Sequence, residues 1–431
     1  MSRFLFVVPP LAGHINPASA VAAELVDRGH EVAWAGQPAA LEGLVAADHP
    51  VFPCAVVPGI DDGPRDLRGV AALKFRWDEF FAPLAYAMAP GVTAAVMEFG
   101  PDLLVADQQT VAGALVAERL GVPYVTSSTT STELSADPVG TPEFGRSGTS
   151  DPSDPSYGSD PSDPSEPWIT DLLDGLRLRL GDPSARYDPR FSPRLTLVFS
   201  TSEFTGPQPS GRGPVRFVGP ALGRLPDSRA DTADAADAVD FPWRWVDRDD
   251  GRALVLVCLD TADTTVGAHF LAQCVDGVRA RARELRAVVV DPEGILGPPL
   301  ADDNLLICTE VPQLALLAHT DAVVCHAGHN TVTEALWHGV PLVVAPVRDD
   351  QPVVAARVTA VGAGVRVRFG RTDAKAVGCA LDAVLGQPHF AAAARRVGRS
   401  FREAGGAPTA AAHLEALAIA EQENPWQGLQ I

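Results

Sequence analysis

The sequence predicts an α/β protein built from two doubly wound parallel sheets in tandem. Three observations carry this. Short runs of β-branched and large apolar residues alternate with longer Ala-rich segments along the whole chain, which is the rhythm of βαβ units. At 431 residues, 46% of them hydrophobic, the chain can bury two full cores, at about 100–200 residues per domain. A polar, Asp-rich stretch without apolar periodicity, Arg224–Asp240, divides the alternation into halves, as a linker does. This composition excludes a disordered chain, a collagen and a small disulfide scaffold.

In the first half the expected strands are Phe4–Val8, Glu31–Ala35, Leu103–Ala106, Pro123–Thr126 and Leu195–Phe199. The second half repeats the pattern with Ala253–Cys258, Ala287–Val290, Leu305–Cys308, Ala322–Cys325 and Leu342–Ala345. The boundaries are therefore a first domain over 1–222, a linker over 223–240 and a second domain over 241–405. A final helix is expected over Ala407–Glu423, ended by Pro425. Inside the first half, Gly145–Glu166 carries a degenerate Asp-Pro-Ser repeat. Such composition cannot bury a core, so it reads as a mobile insertion, either a lid or an inert expansion.

The 54 Asp and Glu outnumber the 34 Lys and Arg, for a formal charge of −20. A surface of that sign repels phosphate backbones and anionic membranes, so neither nucleic acid nor membrane is an expected partner. Only Lys74 and Lys375 are lysines, a bias that reads as base composition. The six cysteines form no Cys-x-x-Cys pair and several lie in apolar runs, where a free thiol is a small core residue. The apolar opening before Pro9-Pro10 is too short for a membrane span or a signal peptide. A reduced, cytoplasmic protein, monomer or homodimer, is the simplest expectation.

The chemistry concentrates in Glu310–Gln351. A strand ends at His326, the small-residue turn Ala327-Gly328-His329-Asn330 follows, and a helix opens near Thr331. Backbone amides at such a helix start, with the positive end of the dipole behind them, suit a phosphate. Gly328 permits close approach, and His326, Asn330 and Thr331 add side-chain donors. Thr331-x-x-Glu334 also reads as a capping box that needs no ligand.

Taken together, Pro312-Gln313, His326, Gly328, Asn330, Thr331, Glu334, Gly339-Val340-Pro341, Pro346 and Asp350-Gln351 resemble the donor signature of family 1 nucleotide-sugar glycosyltransferases. That family is best known from plant secondary-metabolism enzymes and bacterial antibiotic glycosyltransferases. The resemblance covers nearly the whole chain outside the Asp-Pro-Ser insertion. It implies the GT-B fold, two Rossmann-like doubly wound domains facing a cleft, with residues 406–431 packing back on the first domain. It also implies that Gln313 belongs to the donor site, His326 and the amides of Gly328–Thr331 hold a diphosphate, Glu334 holds the ribose hydroxyls, and Asp350 and Gln351 hold those of the sugar. A carboxylate beside an amide can both accept from and donate to a diol, which makes this assignment chemically sound.

The amino-terminal half adds a second match. The first strand runs into Pro9-Pro10 and then Gly13-His14-Ile15-Asn16-Pro17, and a histidine at the carboxyl end of the first parallel strand points to where α/β proteins bind ligands. In the family the corresponding loop carries the general base, a task that suits imidazole near neutral pH. Asp107 resembles the acidic partner that steadies the imidazolium, and it also reads as an N-cap for the helix around Val111–Leu120.

Two departures matter. Family members commonly carry a Ser-x-Gly-Thr/Ser turn after the first strand of the second domain, whereas this chain has Cys258-Leu259-Asp260-Thr261. Asp260 brings a Cβ and a negative charge toward the diphosphate. Glu310 stands where many members place a tryptophan against the base, and a carboxylate cannot stack. The expected reaction is a metal-independent, inverting transfer from a UDP- or dTDP-sugar, a co-substrate rather than a cofactor, to a small hydrophobic natural product. The pairs Asp61-Asp62, Asp302-Asp303 and Asp349-Asp350 read as solvated loop acids rather than metal ligands. A same-fold nucleotide-sugar epimerase or hydrolase, and a non-catalytic partner protein with impaired donor binding, stay as alternatives.

Overall fold

The computed structural model describes residues 1–57, 69–130, 165–206, 213–222, 241–259, 265–348 and 350–423. These fall into two compact units, one of the residues up to 222 together with 403–423, the other of residues 241–402. The expected linker and almost all of the Asp-Pro-Ser insertion lie outside the described residues. Ser165 and Glu166, the end of that insertion, already belong to the helix Ser165–Leu180.

The first unit is a sheet of strands β1 (Arg3–Val7), β2 (Glu31–Gly36), β3 (Val51–Pro53), β4 (Leu103–Asp107), β5 (Tyr124–Ser128), β6 (Thr196–Val198) and β7 (Val215–Phe217). Their order is β3-β2-β1-β4-β5-β6-β7, every pair parallel. Strand β1 shows why such a sheet must be covered on both sides. Leu5 and Val7 face one layer, with Leu84, Met88, Val92 and Leu115, while Phe4 and Phe6 face the other, with Val21, Leu25, Leu414 and Ala418. This is the period-two alternation of a strand with both faces buried.

The helix Gly406–Glu423 supplies Leu414 and Ala418 and lies along the helix Ala12–Asp27. Polar contacts fix it there: Arg28 and His30 donate to Glu415, and Arg194 clasps Glu421 through two hydrogen bonds of 2.6 and 3.1 Å. The helical stretch Leu73–Phe99 is long and apolar enough to cross a membrane, but its Trp77, Phe80, Leu84, Met88 and Val92 are spent on the core of this unit. Trp34, stacked on Phe6 at 5.0 Å, and Trp77 are both fully buried, so these two indoles are core packing residues.

The second unit repeats the plan with β8 (Ala253–Cys258), β9 (Leu285–Val290), β10 (Leu300–Ala301), β11 (Leu305–Cys308), β12 (Ala322–Cys325), β13 (Leu342–Val344) and β14 (Gly364–Arg366). The order is β10-β11-β9-β8-β12-β13-β14, parallel except for the β10–β11 pair. The unit ends at Arg402 rather than at residue 405. The Gly406 amide already donates to the Val218 carbonyl of the first unit's chain segment. Strands β3, β7, β10 and β14 were not expected from the sequence; at two or three residues each, they are too short to show a period.

Candidate functional site

In both sheets the strand order reverses at one place, between β1 and β4 in the first unit and between β8 and β12 in the second. Connections leave such a pair toward opposite faces of the sheet, so the carboxyl ends of the two strands are left open as a crevice. The chemistry-bearing residues lie at these two points.

In the first unit, the chain leaves β1 and enters the helix Ala12–Asp27, which places His14 in the first helical turn. Asp107 is the last residue of β4, paired in register with Ser127 of β5. The imidazole Nδ1 lies 2.9 Å from Asp107 Oδ2, with the His14 side chain 15% exposed and that of Asp107 1%. Asp107 is not the helix N-cap, a position held by Thr110. Its Oδ1 instead accepts from the Gln109 amide at 2.9 Å, an Asx turn that aims Oδ2 at the histidine. A further residue completes the cluster. The hydroxyl of Thr129, just beyond β5, is 2.7 Å from His14 Nδ1 and donates to Asp107 Oδ2 over 3.3 Å. Nothing in the run Ser127-Ser128-Thr129-Thr130 singles Thr129 out; only the position of β5 beside β4 could have pointed to it.

In the second unit, β12 ends at Cys325 and the chain turns through His326 and Ala327 into the helix His329–Trp337. Ala327 takes a left-handed φ of 70°, the sole non-glycine to do so among the described residues. Such strain collects at sites that need a fixed turn. Gly328 is the N-cap, at φ −59° and ψ 139°, and lends no side chain to the helix end. The imidazole of buried His326 packs over it, because a Cβ on Gly328 would meet His326 Nε2 at 2.5 Å. The helix thus starts at His329 rather than near Thr331, and Thr331 sits too deep to cap it. The capping box is accordingly not formed. Glu334 instead takes a 2.6 Å hydrogen bond from Gln313 Nε2, at the start of the short helix Gln313–Leu317. Burial pushes the Glu334 carboxyl up to about 7, against the opposing effect of the Gln313 bond.

Gln351 begins the helix Gln351–Ala360, with Asp350 as its half-buried N-cap residue. The Gln351 side chain is buried, and its Oε1 accepts from the amides of Val347 and Arg348 at 2.8 and 2.9 Å. Both lone pairs of that oxygen are used, so only its NH2 is left for an external hydroxyl. Glu310 is exposed in the loop after β11. Asp260 and Thr261 lie outside the described residues, as do Asp61, Asp62 and Asp349. Asp302 and Asp303 have structural duties: the first accepts from the Asn304 and Leu305 amides, and the second pairs with Arg252 at 2.9 Å.

Two family models match the chain, "UDP-glucoronosyl and UDP-glucosyl transferase" over residues 291–404 and "Glycosyltransferase family 28 N-terminal domain" over residues 12–136. Among curated proteins, the chain is 28% identical to 4'-demethylrebeccamycin synthase of Lentzea aerocolonigenes, covering 92% of this chain and 94% of that one. Among solved structures, the kitacinnamycin glycosyltransferase superposes with a TM-score of 0.71 at 22% identity, covering 96% of this chain and 98% of that one. The spinosyn rhamnosyltransferase SpnG, solved with thymidine diphosphate, gives 0.67 at 20% identity, with coverage of 97% and 100%.

Two Rossmann-like α/β units, each with its candidate residues at the switch point, make this a GT-B protein. The matched models and relatives are those of family 1 nucleotide-sugar glycosyltransferases, several of them bacterial natural-product enzymes, and the matched glycosyltransferase domains support an enzyme of that type.

Proposed function

We propose that this enzyme transfers a sugar from a UDP- or dTDP-sugar to a nucleophile on a small hydrophobic natural product, with inversion and without a metal ion. The reading is carried by the His14–Asp107 pair, a base and its orienting carboxylate at 2.9 Å. An ionised Asp107 keeps the ring proton on Nδ1, which leaves the Nε2 lone pair to take a proton from the acceptor hydroxyl. The freed oxygen attacks the anomeric carbon opposite the leaving diphosphate, and a single displacement of that kind inverts the centre. His326 and the helix start at Gly328–Thr331 would meet the negative charge that develops on the diphosphate, so the mechanism asks nothing of a metal.

In the same reading Gln313 and Glu334 face the ribose. Asp350 accepts from sugar hydroxyls, while Gln351 offers its NH2. The six unbridged cysteines, four of them buried, suit the reducing cytoplasm proposed as its compartment.

A mass-spectrometric screen of UDP- and dTDP-sugars against an acceptor panel tests the proposal. It expects a glycosylated product of inverted configuration by NMR and the same turnover in EDTA. Release of free sugar without acceptor, or loss of activity in EDTA, overturns it.

The phosphate assignment has its own test. Gly328 has a backbone conformation open to alanine, so Gly328→Ala acts by pushing the His326 ring away and by placing a methyl group where the diphosphate would approach. The expected result is a tenfold or greater rise in donor KM with the melting temperature little changed. An unchanged KM removes His326 from the diphosphate site.

A further inference from the structure

We propose that Thr129 is a positioning residue that selects the tautomer of His14 and holds the imidazolium formed during transfer, an inference that rests on His14 being the base. The reasoning is proton counting around a triangle of three atoms. His14 Nδ1, Asp107 Oδ2 and Thr129 Oγ1 are separated by 2.9, 2.7 and 3.3 Å. An ionised carboxylate only accepts, the hydroxyl has one proton and two lone pairs, and a neutral imidazole has one N–H shared between two nitrogens.

Only one arrangement leaves every edge attractive. Thr129 donates its proton to Asp107 Oδ2, and the ring proton sits on Nδ1, facing both the carboxylate and the hydroxyl lone pair. The Nε2 lone pair then serves as base. In the other tautomer, the Nδ1 lone pair would face a carboxylate oxygen at 2.9 Å, with the hydroxyl proton turned toward the ring and away from Asp107. That state carries its hydrogen on Nε2 and is inert as a base there. The hydroxyl is thus a rotor whose preferred setting, on the carboxylate, matches the active tautomer.

During transfer the acceptor proton moves to Nε2, the acceptor oxygen bonds the anomeric carbon, and the bond to the diphosphate breaks. The ring becomes an imidazolium whose Nδ1–H is shared by Asp107 Oδ2 and Thr129 Oγ1. Because Thr129 is 4% exposed, water is poorly placed to replace it. The β4–β5 pairing, with Asp107 opposite Ser127, sets the carboxylate and the hydroxyl side by side.

The test compares Thr129→Val, which keeps the shape, with Thr129→Ser, which keeps the hydroxyl, and Thr129→Ala as a second deletion, all in the full-length enzyme. Removal of the hydroxyl is expected to lower kcat about tenfold, with donor and acceptor KM within twofold of the parent. Serine is expected to restore kcat to within twofold. In a His14→Ala background, Thr129→Val should cost nothing more. Parent-like kcat in Thr129→Val and Thr129→Ala, serine as damaging as valine, or an effect confined to a KM each overturns the proposal. His14→Ala separates the two levels: if it retains turnover, the base assignment fails and this inference with it. If it is inactive while Thr129→Val is parent-like, only the inference about Thr129 fails.

Discussion

Replacing His14 with alanine is expected to lower kcat by about three orders of magnitude or more while leaving nucleoside diphosphate affinity within a factor of two. A positioned general base contributes typically ~10²–10⁴ in rate, and among the described residues around it neither Asp107 nor Thr129 stands ready to substitute. Asp107 is buried with one oxygen on the Gln109 amide, and Thr129 is a hydroxyl without a base of its own once the imidazole is gone. Affinity should hold because the residues proposed to bind the nucleotide all belong to the second unit. The substitution has a structural cost, since Asp107 Oδ2 loses its ring partner and keeps only the 3.3 Å bond from Thr129. A weakened buried carboxylate costs about 1–3 kcal/mol, which lowers the melting temperature of a unit this size by several degrees. A thermal melt beside the kinetics therefore separates a lost base from a lost fold. Turnover within tenfold of the parent in a folded His14→Ala enzyme removes His14 as the base.

The long strands were legible because each carries enough consecutive apolar residues to announce burial on both faces. Phe4–Val7 and Val255–Val257 have no other reading in an α/β chain. The four short strands were not, because edge strands of two or three residues are defined by pairing rather than by composition. The same limit shaped the site. His14 and Asp107 could be named as residues, one by its loop and one by its place at a strand end, but their hydrogen bond depends on β1 and β4 being neighbours across a gap of about a hundred positions. Thr129 was hidden altogether, because a hydroxyl in a Ser/Thr run gains meaning only from what the next strand brings beside it. The start of the helix His329–Trp337 was misplaced by two residues for a different reason. The left-handed Ala327 and a glycine N-cap begin the helix without any side-chain signal, so the sequence offered Thr331 as the nearest residue able to cap.

Replacing Glu334 with glutamine should stabilise the protein in alkaline solution and erase part of the pH dependence of donor binding. With its folded-state pKa raised from 4.5 to about 7, the Glu334 carboxyl holds a proton in the folded chain that the unfolded chain has already released. The stability owed to that proton is complete below pH 4.5 and is lost as the pH rises through 7. Above 7 the parent bears the whole cost of a half-buried charge. That cost is on the order of 2 kcal/mol, since each tenfold change in an ionisation equilibrium is worth ~1.4 kcal/mol and partial exposure screens some of it. Glu334→Gln does not titrate, and its amide oxygen can still accept from Gln313. Its melting temperature should therefore match the parent's near pH 5 and exceed it by several degrees at pH 8.5. Binding should run the other way. A ribose diol donates two hydrogen bonds, which only the ionised carboxylate can fully accept. Parent affinity for a nucleoside diphosphate therefore gains from Glu334 as the pH rises from 6 to 8. Histidine and phosphate titrate in that range too, so the informative quantity is the ratio of parent to Glu334→Gln affinity, measured by calorimetry at pH 6, 7 and 8. That ratio should widen by up to about tenfold across the range. A ratio independent of pH, or a variant no more stable than the parent at pH 8.5, shows that Glu334 is already ionised in the free enzyme and that its burial does not govern donor binding.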